Sequence, residues 1–319
     1  MPSVLIGANT LRGKPGRFRD ILSQAGFDLI DPPGDHTLGD DEMRQYLPQC
    51  SASIAGGENY TDALMRQCPH LRVIARTGVG YDCVDVAAAS RLGVAVAITP
   101  GTNHDAVAEQ AFALLLAITR RITINDRDVR SGGWDRTLPM PLRAKTLGLV
   151  GLGRIGRAMV ARAQAFLMNV IAHDTLAPAS PQDLAAVPRV SFDDLLATSD
   201  VISIHCPLNQ ETRGWFDQSV FSRMRRGSIL LNTARGPIIN EAHLVAAIQS
   251  GHLAGAGLDV LENEPTNPDN PLLRLDQVVI SPHIAGIDTL SMADMADKAA
   301  WIVAEIAAGR RPADCIVNP

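Results

Sequence analysis

The sequence predicts an α/β protein with two doubly wound parallel-sheet domains, and three observations carry that prediction. Short apolar runs alternate with helix-period stretches along almost the whole chain, as in repeated strand–helix–strand units. The apolar run 146–150 ends in glycines spaced G-x-G-x-x-G, at Gly151, Gly153 and Gly156. A length of 319 residues suits two domains, at roughly 100 to 200 residues each.

Taken in order, 4–6 reads as the first strand, 17–25 as a helix and 28–30 as a strand. Further strands follow at 53–55, 73–75 and 94–96, with a helix over 84–92 between the last two. This alternation fills a first domain of about 100 residues. Ligands of such sheets gather at the carboxyl ends of the strands. There the chain reads Arg76-Thr77-Gly78-Val79-Gly80-Tyr81-Asp82. Two glycines in a turn expose backbone N–H groups to an anion such as a carboxylate, or simply permit a left-handed turn.

Ile98-Thr99-Pro100-Gly101 punctuates the chain and sets a boundary near residue 100. Beyond it Val107, Ala111, Phe112, Leu115 and Ile118 share one face of a long helix running from Asp105 to Arg121. The segment 130–145 ends that helix. Its Trp134, Met140 and Leu142 suit either an oligomer contact or a lid on the same domain.

The glycine run then follows a strand without polar alternation, which suits burial on both faces. The next helix places Ile155, Met159, Val160 and Ala163 together. Gly151 permits the turn, Gly153 admits a pyrophosphate to the backbone, and Gly156 allows close helix–strand packing. The helix N-terminus offers unpaired N–H groups to the phosphates. The following strand, 168–173, finishes at Asp174, about 20 residues past the glycines, where a carboxylate accepts hydrogen bonds from an adenosine ribose. It would repel a 2′-phosphate, so the expected cofactor is NAD and not NADP. Strands at 201–204, 228–231, 254–258 and 278–280 complete this domain, and the last helix, 291–309, returns to the first.

Composition excludes several classes. Apolar residues make up 46% and charged residues 20% of the chain, with a net charge of −5. That is an ordinary globular balance, and the scattered arginines form no polybasic arm, so neither disorder nor a nucleic-acid partner is expected. The five cysteines form no C-x-x-C pair. This argues against a disulfide framework or a zinc site and for a cytoplasmic protein. The start of the chain reads as a strand, not as a signal peptide. Glu109 and Gln110 interrupt the most apolar helix, so no membrane partner is expected.

The later strand ends carry the reactive residues. They read His205-Cys206-Pro207, Asn232-Thr233-Ala234-Arg235-Gly236, Asp259 through Glu264-Pro265, and Ser281-Pro282-His283-Ile284-Ala285-Gly286. Hydride transfer at a carbinol carbon needs a proton acceptor, a cation to hold the substrate, and a dry, positioned nicotinamide. Arg235 can fork two donors onto a carboxylate. His283 or His205 can serve as the acid/base, and Glu264 or Asp259 can orient it; spacing alone does not choose. Each also has a plain structural alternative, as an ion pair, a loop carboxylate or a core histidine.

The ordered series R-T-G-V-G-Y-D, V-G-L-G-R-I-G, H-C-P-L, N-T-A-R-G, G-L-D-V-L-E-N-E-P and S-P-H-I-A-G resembles the D-isomer-specific 2-hydroxyacid dehydrogenases, closest to their phosphoglycerate dehydrogenase branch. The resemblance implies a Rossmann NAD-binding domain, 101–284, inserted into a flavodoxin-like substrate domain, 1–100 with 285–319. It makes Arg235, Glu264 and His283 the catalytic set and moves His205 to a cofactor-side or structural role. It places the cofactor on Val79, Gly151, Gly153, Arg154, Ile155, Gly156, Asp174, Cys206, Thr233, Ala234, Arg235, Asp259, His283, Ala285 and Gly286. A small 2-hydroxy or 2-oxo acid would meet Arg76, Val79, Gly80 and Arg235. A homodimer through residues 103–145 is also implied. Two departures stand out. The chain ends at Pro319 without the C-terminal regulatory domains of longer phosphoglycerate dehydrogenases. And Ala55-Gly56-Gly57-Glu58-Asn59 stands where a basic residue for a substrate phosphate is sought. Hydroxypyruvate or glyoxylate reduction is therefore the alternative activity, and an NADH-sensing co-repressor the alternative without catalysis.

Overall fold

The structure is a computed structural model that describes residues 1–176 and 187–318. In chain order its first part runs β1 (Ser3–Ile6), α1 (Arg17–Gln24), β2 (Asp28–Ile30), α2 (Asp40–Tyr46), β3 (Ala52–Ala55), α3 (Asp62–Met65), β4 (Val73–Arg76), α4 (Val86–Arg91) and β5 (Ala95–Ala97). Next come α5 (His104–Thr119), α6 (Ile122–Arg130), β6 (Thr146–Val150), α7 (Arg154–Ala165) and β7 (Asn169–His173). Then follow α8 (Phe192–Thr198), β8 (Val201–Ile204), α9 (Gln218–Arg223), β9 (Ser228–Asn232), α10 (Glu241–Gln249), β10 (Leu253–Leu258) and β11 (Val278–Ile280). The helix α11 (Thr289–Ala307) closes the chain. Two compact units result, Met1–Asn103 with Ile287–Pro319, and His104–Gly286.

The first unit holds a five-stranded sheet in the order β2-β1-β3-β4-β5, all pairs parallel. That is the flavodoxin-like order, whose direction reverses between β1 and β3. Both faces are covered, so the strands carry apolar residues without alternation. On one face Val4, Ile6, Ile54 and Val73 pack with Phe18 and Leu22 of α1 and with Ala296, Ala299, Ala300 and Val303 of α11. The small residues of α11 let its backbone lie close to the sheet. Its start is fixed by Asp288, which accepts from the amides of Leu290 and Ser291 at 2.8 and 2.6 Å, a cap worth about 1 kcal/mol. On the other face Met43, Leu64, Met65 and Ala88, from α2, α3 and α4, pack with Leu5 and Ile74.

The second unit holds a six-stranded parallel sheet in the order β11-β10-β9-β8-β6-β7. Outside β7, Ala172 pairs with Arg189 in a single parallel bridge. Its hydrogen bonds run from Ala172 N to Pro188 O and from Val190 N to Ala172 O, both 2.9 Å. This short segment stands where the third strand of a dinucleotide-binding sheet lies. The long apolar helix ends at Thr119. Arg121, at φ 56°, turns the chain into α6, none of whose residues is buried. The sequence reading ran the first of these helices to Arg121 and assigned no second one. I-T-I-N-D-R-D-V-R has too few apolar residues to show a face. Among the described residues no helix is long and apolar enough to cross a membrane.

Candidate active site

Three loops after β9, β10 and β11 carry Arg235, Glu264 and His283, the residues expected to react, and main-chain contacts lock them together. Asn232, at the end of β9, is buried; its Oδ1 accepts from Ala234 N at 3.0 Å and its Nδ2 donates to Arg235 O at 2.8 Å. This local ring fixes the turn that presents Arg235. The next residue must be glycine, because a Cβ on Gly236 would sit 1.8 Å from Leu261 O. The turn is thereby pressed on the loop after β10. In that loop Leu261 N donates to Glu264 Oε1 at 3.0 Å, leaving Oε2 directed at His283 Nδ1, 2.6 Å away.

His283 follows β11 with φ 54°, a left-handed conformation uncommon outside glycine. Its amide donates to Asp259 O at 2.8 Å. Asp259, 1% exposed, receives Ser281 Oγ at 2.6 Å, Ile284 N at 3.0 Å and Ala285 N at 2.8 Å on its carboxylate. Gln110 of α5 then donates to Ser281 Oγ at 2.9 Å. Asp259 thus builds the histidine turn from behind, and Glu264 alone of the two carboxylates meets the imidazole. Burial by itself would raise the Glu264 pKa. The hydrogen bonds from His283 and Leu261 and the nearby charges of His283 and Arg235 outweigh it, so the group lies below the usual 4.5 and stays ionised. With Nδ1–H given to Glu264, His283 Nε2 is the ring atom left to exchange a proton with a ligand.

His205 is placed otherwise. Its Nε2 lies 2.8 Å from Ser203 Oγ, its Nδ1 is buried, and burial pushes its pKa down to about 4. With Nε2 beside Ser203 Oγ and its charged form disfavoured, His205 is placed less well than His283 for proton exchange with a ligand. Burial likewise pushes the neighbouring Cys206 thiol up to about 11, so it is no nucleophile near neutral pH.

The glycine loop fits a dinucleotide. Gly151 has φ 99°, and a Cβ on Gly156 would lie 2.3 Å from Gly151 O, so α7 starts hard against the strand end. Gly153, by contrast, has nothing within 4 Å of where its Cβ would be. That open cradle faces the start of α7, where Arg154 and Ile155 supply the first amides. Asp174 Oδ2 accepts from Leu152 N at 2.6 Å and Oδ1 from Leu176 N at 2.8 Å, so the carboxylate is held beside the loop. Thr233 Oγ1 and His205 Nδ1 are buried polar atoms without a hydrogen-bond partner among the described residues, as expected beside a site that completes them.

In the first unit, the turn after β4 is tied by Arg76 Nε to Gly80 O at 2.9 Å and by Gly78 N to Thr99 Oγ1 at 2.9 Å. Gly78 takes φ 138°. The turn's bonds do not use the amides of Val79 and Gly80.

The sequence reading names Asn232, Gln110 and Ser281 but gives none of them a role in the site. Asn232 carries a signal, an N-x-A turn closing on its own backbone. Gln110 carries only its polarity inside an apolar helix, where it reads as an interruption.

A family model for the NAD-binding domain of the D-isomer specific 2-hydroxyacid dehydrogenases matches residues 112–285. A D-3-phosphoglycerate dehydrogenase of Archaeoglobus fulgidus is 42% identical over 269 residues, 83% of this chain and 50% of that protein. The chain thus spans half the length of that relative. A glyoxylate reductase of Korarchaeum cryptofilum is 38% identical over 261 residues, 80% of this chain and 79% of that one. The TT0316 protein of Thermus thermophilus superposes with a TM-score of 0.89 at 35% identity, over 99% of this chain and all of that one.

Proposed function

The chain belongs to the D-isomer-specific 2-hydroxyacid dehydrogenases, and from that premise we propose that it is an NAD-dependent oxidoreductase interconverting a small D-2-hydroxy acid and its 2-oxo acid. The observation that carries the reading is the 2.6 Å pair of Glu264 Oε2 and His283 Nδ1, on loops locked to the Arg235 turn. Bound NADH supplies the hydride for the keto carbon. The residues of this chain do the rest. His283 Nε2 gives a proton to the substrate's carbonyl oxygen in reduction and takes one from the hydroxyl in oxidation. Glu264 keeps the ring in the tautomer that leaves Nε2 available. Arg235 binds the carboxylate and carbonyl oxygens, and its positive charge stabilises the oxygen as electrons move onto it. Val79 and Gly80 amides, with Arg76, take the carboxylate in this reading. NAD would be held by Gly151–Gly156, Asp174, Cys206, Thr233–Arg235 and the 283–286 turn.

Phosphoglycerate oxidation is one activity of this class. Reduction of hydroxypyruvate or glyoxylate is favoured by the turn Ala55-Gly56-Gly57-Glu58-Asn59, which carries no basic residue for a substrate phosphate. A homodimer through residues 103–145 belongs to the reading, supported by Trp134 at 78% and Leu138 at 90% exposure. A cytoplasmic setting is supported by the five free cysteines. The test is NADH oxidation, followed by absorbance, with glyoxylate, pyruvate, hydroxypyruvate and 3-phosphohydroxypyruvate. Turnover of at least one acid, with NADPH weaker, is expected. Failure with every acid, joined to NADH-dependent dimerisation, would give the co-repressor reading instead.

A further inference from the structure

The helix α5 lies against β10, and two glycines of that strand set how close. A Cβ on Gly257 would be 2.9 Å from Leu114 Cβ and 3.2 Å from Ile118 Cδ1, and one on Gly255 would be 3.3 Å from Ile118 Cγ2. Leu114 is buried, and Ile118 packs on the same core. Gln110, Leu114 and Ile118 stand at i, i+4 and i+8, on one stripe of the helix. Four helical residues advance about 6 Å, and two strand residues about 6 to 7 Å. Ile118 over Gly255 and Leu114 over Gly257 are therefore continued by Gln110 at the level of Asp259, where β10 has just ended. There Gln110 Nε2 donates to Ser281 Oγ at 2.9 Å.

The direction of that bond is forced. Ser281 Oγ donates to Asp259 Oδ1 at 2.6 Å, so its one proton is committed and only lone pairs remain. A neighbour must donate to them. Glutamine at 110 does so, whereas a leucine, which suits the rest of this apolar stripe, could not. Ser281 O in turn takes the His283 amide at 3.1 Å, beside the 2.8 Å bond from that amide to Asp259 O. The series Gln110, Ser281, His283 thus runs through hydrogen bonds from a helix pressed on the sheet to the turn that carries the imidazole.

We propose that Gln110 is a positioning residue for proton transfer: it fixes Ser281, and through Ser281 the left-handed turn that aims His283 Nε2 at the reacting oxygen. This rests on the reading above, in which His283 exchanges that proton. Gln110 acts by placing main chain, so its loss is felt in the transfer step far more than in binding of the acid. The polar side chain in an otherwise apolar stripe is explained by this role and not by packing.

The test compares Gln110→Leu, Gln110→His and Ser281→Ala with the wild type, using NADH and whichever of glyoxylate and hydroxypyruvate turns over faster. Gln110→Leu should lower kcat about tenfold or more, as a misplaced proton donor does, with KM changed by less than about threefold. Its melting temperature should not fall, since leucine adds apolar surface to a stripe already packed on the sheet. Gln110→His keeps an N–H donor and should recover kcat to within about threefold of the wild type. A purely structural role would lower the melting temperature and leave kcat per folded enzyme unchanged, which would overturn the proposal. The double variant of Gln110→Leu with Ser281→Ala decides the route: it should lose no more kcat than Ser281→Ala alone, and additive losses would overturn the proposal. Gln110→Met, unbranched and close to glutamine in length, supplies the same comparison if the leucine variant does not fold. Absence of wild-type turnover with every acid would overturn the functional reading and this inference together; wild-type turnover with unchanged kcat in Gln110→Leu overturns the inference alone.

Discussion

The main-chain carbonyl of Asp259 receives the amide of His283 at 2.8 Å, and the same residue's carboxylate receives the next two amides, Ile284 at 3.0 Å and Ala285 at 2.8 Å. Asp259 thus holds His283, the residue proposed to transfer the proton, in a left-handed conformation that costs about 1 to 3 kcal/mol outside glycine. Asp259→Asn should release it. The amide has one acceptor oxygen where the carboxylate had two, and its NH2 would face N–H groups. Thermal unfolding should show a loss of about 2 kcal/mol, and steady-state kinetics a fall in kcat larger than the rise in KM. An unchanged kcat would mean that His283 keeps its place without this support.

Arg235 gives a prediction about chemistry apart from fold. Its turn is made by Asn232 and Gly236, which a substitution at 235 leaves in place. Arg235→Lys retains a positive charge but cannot present two parallel donors to a carboxylate. The expected result is a drop in kcat/KM of about 100-fold or more, with the melting temperature preserved and NADH affinity changed by less than about threefold. Fluorescence titration of NADH, alongside turnover, separates the two effects. Equal loss of NADH binding and turnover would make Arg235 a cofactor residue only.

Two groups give pH dependences of the same sign in different windows. Burial holds His205 at about 4, below its ordinary 6.5. As the pH falls from 6.5 to 4 the unfolded chain binds a proton that the folded ring refuses, so stability declines through that window. The full shift corresponds to at most about 3 kcal/mol. Glu264 lies below its ordinary 4.5. Its stabilising contribution is present above that value and is lost as the pH falls through the lower, folded one. Denaturant titrations should therefore find His205→Gln flatter than the wild type between pH 6.5 and 4. The wild-type advantage over Glu264→Gln should hold at neutral pH and shrink only below pH 4.5. A His205→Gln curve parallel to the wild type would place the ring in solvent contact.

The sheets are legible in the sequence because strands buried on both faces show as uninterrupted apolar runs, and several runs end at loops that carry the candidate site residues. Arg235, Glu264 and His283 could be named as candidates for that reason. Spacing alone does not choose between Glu264 and Asp259, both acidic residues in one loop, and only the family resemblance favours Glu264. The choice depends on Gly236 meeting Leu261 O and on which carboxylate is buried, and these are facts of packing between strands distant in sequence. Glu58 shows the same limit from the other side. The turn Ala55 to Asn59 reads as lacking a basic residue, but the burial of Glu58 at 1% exposure comes from its packing at the ends of β1 and β3, against Gly7 and Gly56. The helix α6 is polar overall, with only Ile122, Ile124 and Val129 apolar and none of its residues buried, so it gives no apolar run to read.

The three glycines of the loop separate binding from folding. A Cβ on Gly153 would meet nothing within 4 Å, whereas one on Gly156 would lie 2.3 Å from the carbonyl oxygen of Gly151. Gly153→Ala should therefore fold with an unchanged melting temperature, yet place a methyl group where the pyrophosphate approaches the first turn of α7. Its NADH affinity should fall about tenfold or more, as a close backbone–phosphate contact is displaced. Gly156→Ala must push α7 away from β6, so both NADH affinity and stability should drop, the latter by about 1 to 3 kcal/mol. Calorimetric titration with NADH and thermal unfolding of the two variants check this. If Gly153→Ala bound NADH as tightly as the wild type, the cofactor phosphates could not lie in this cradle.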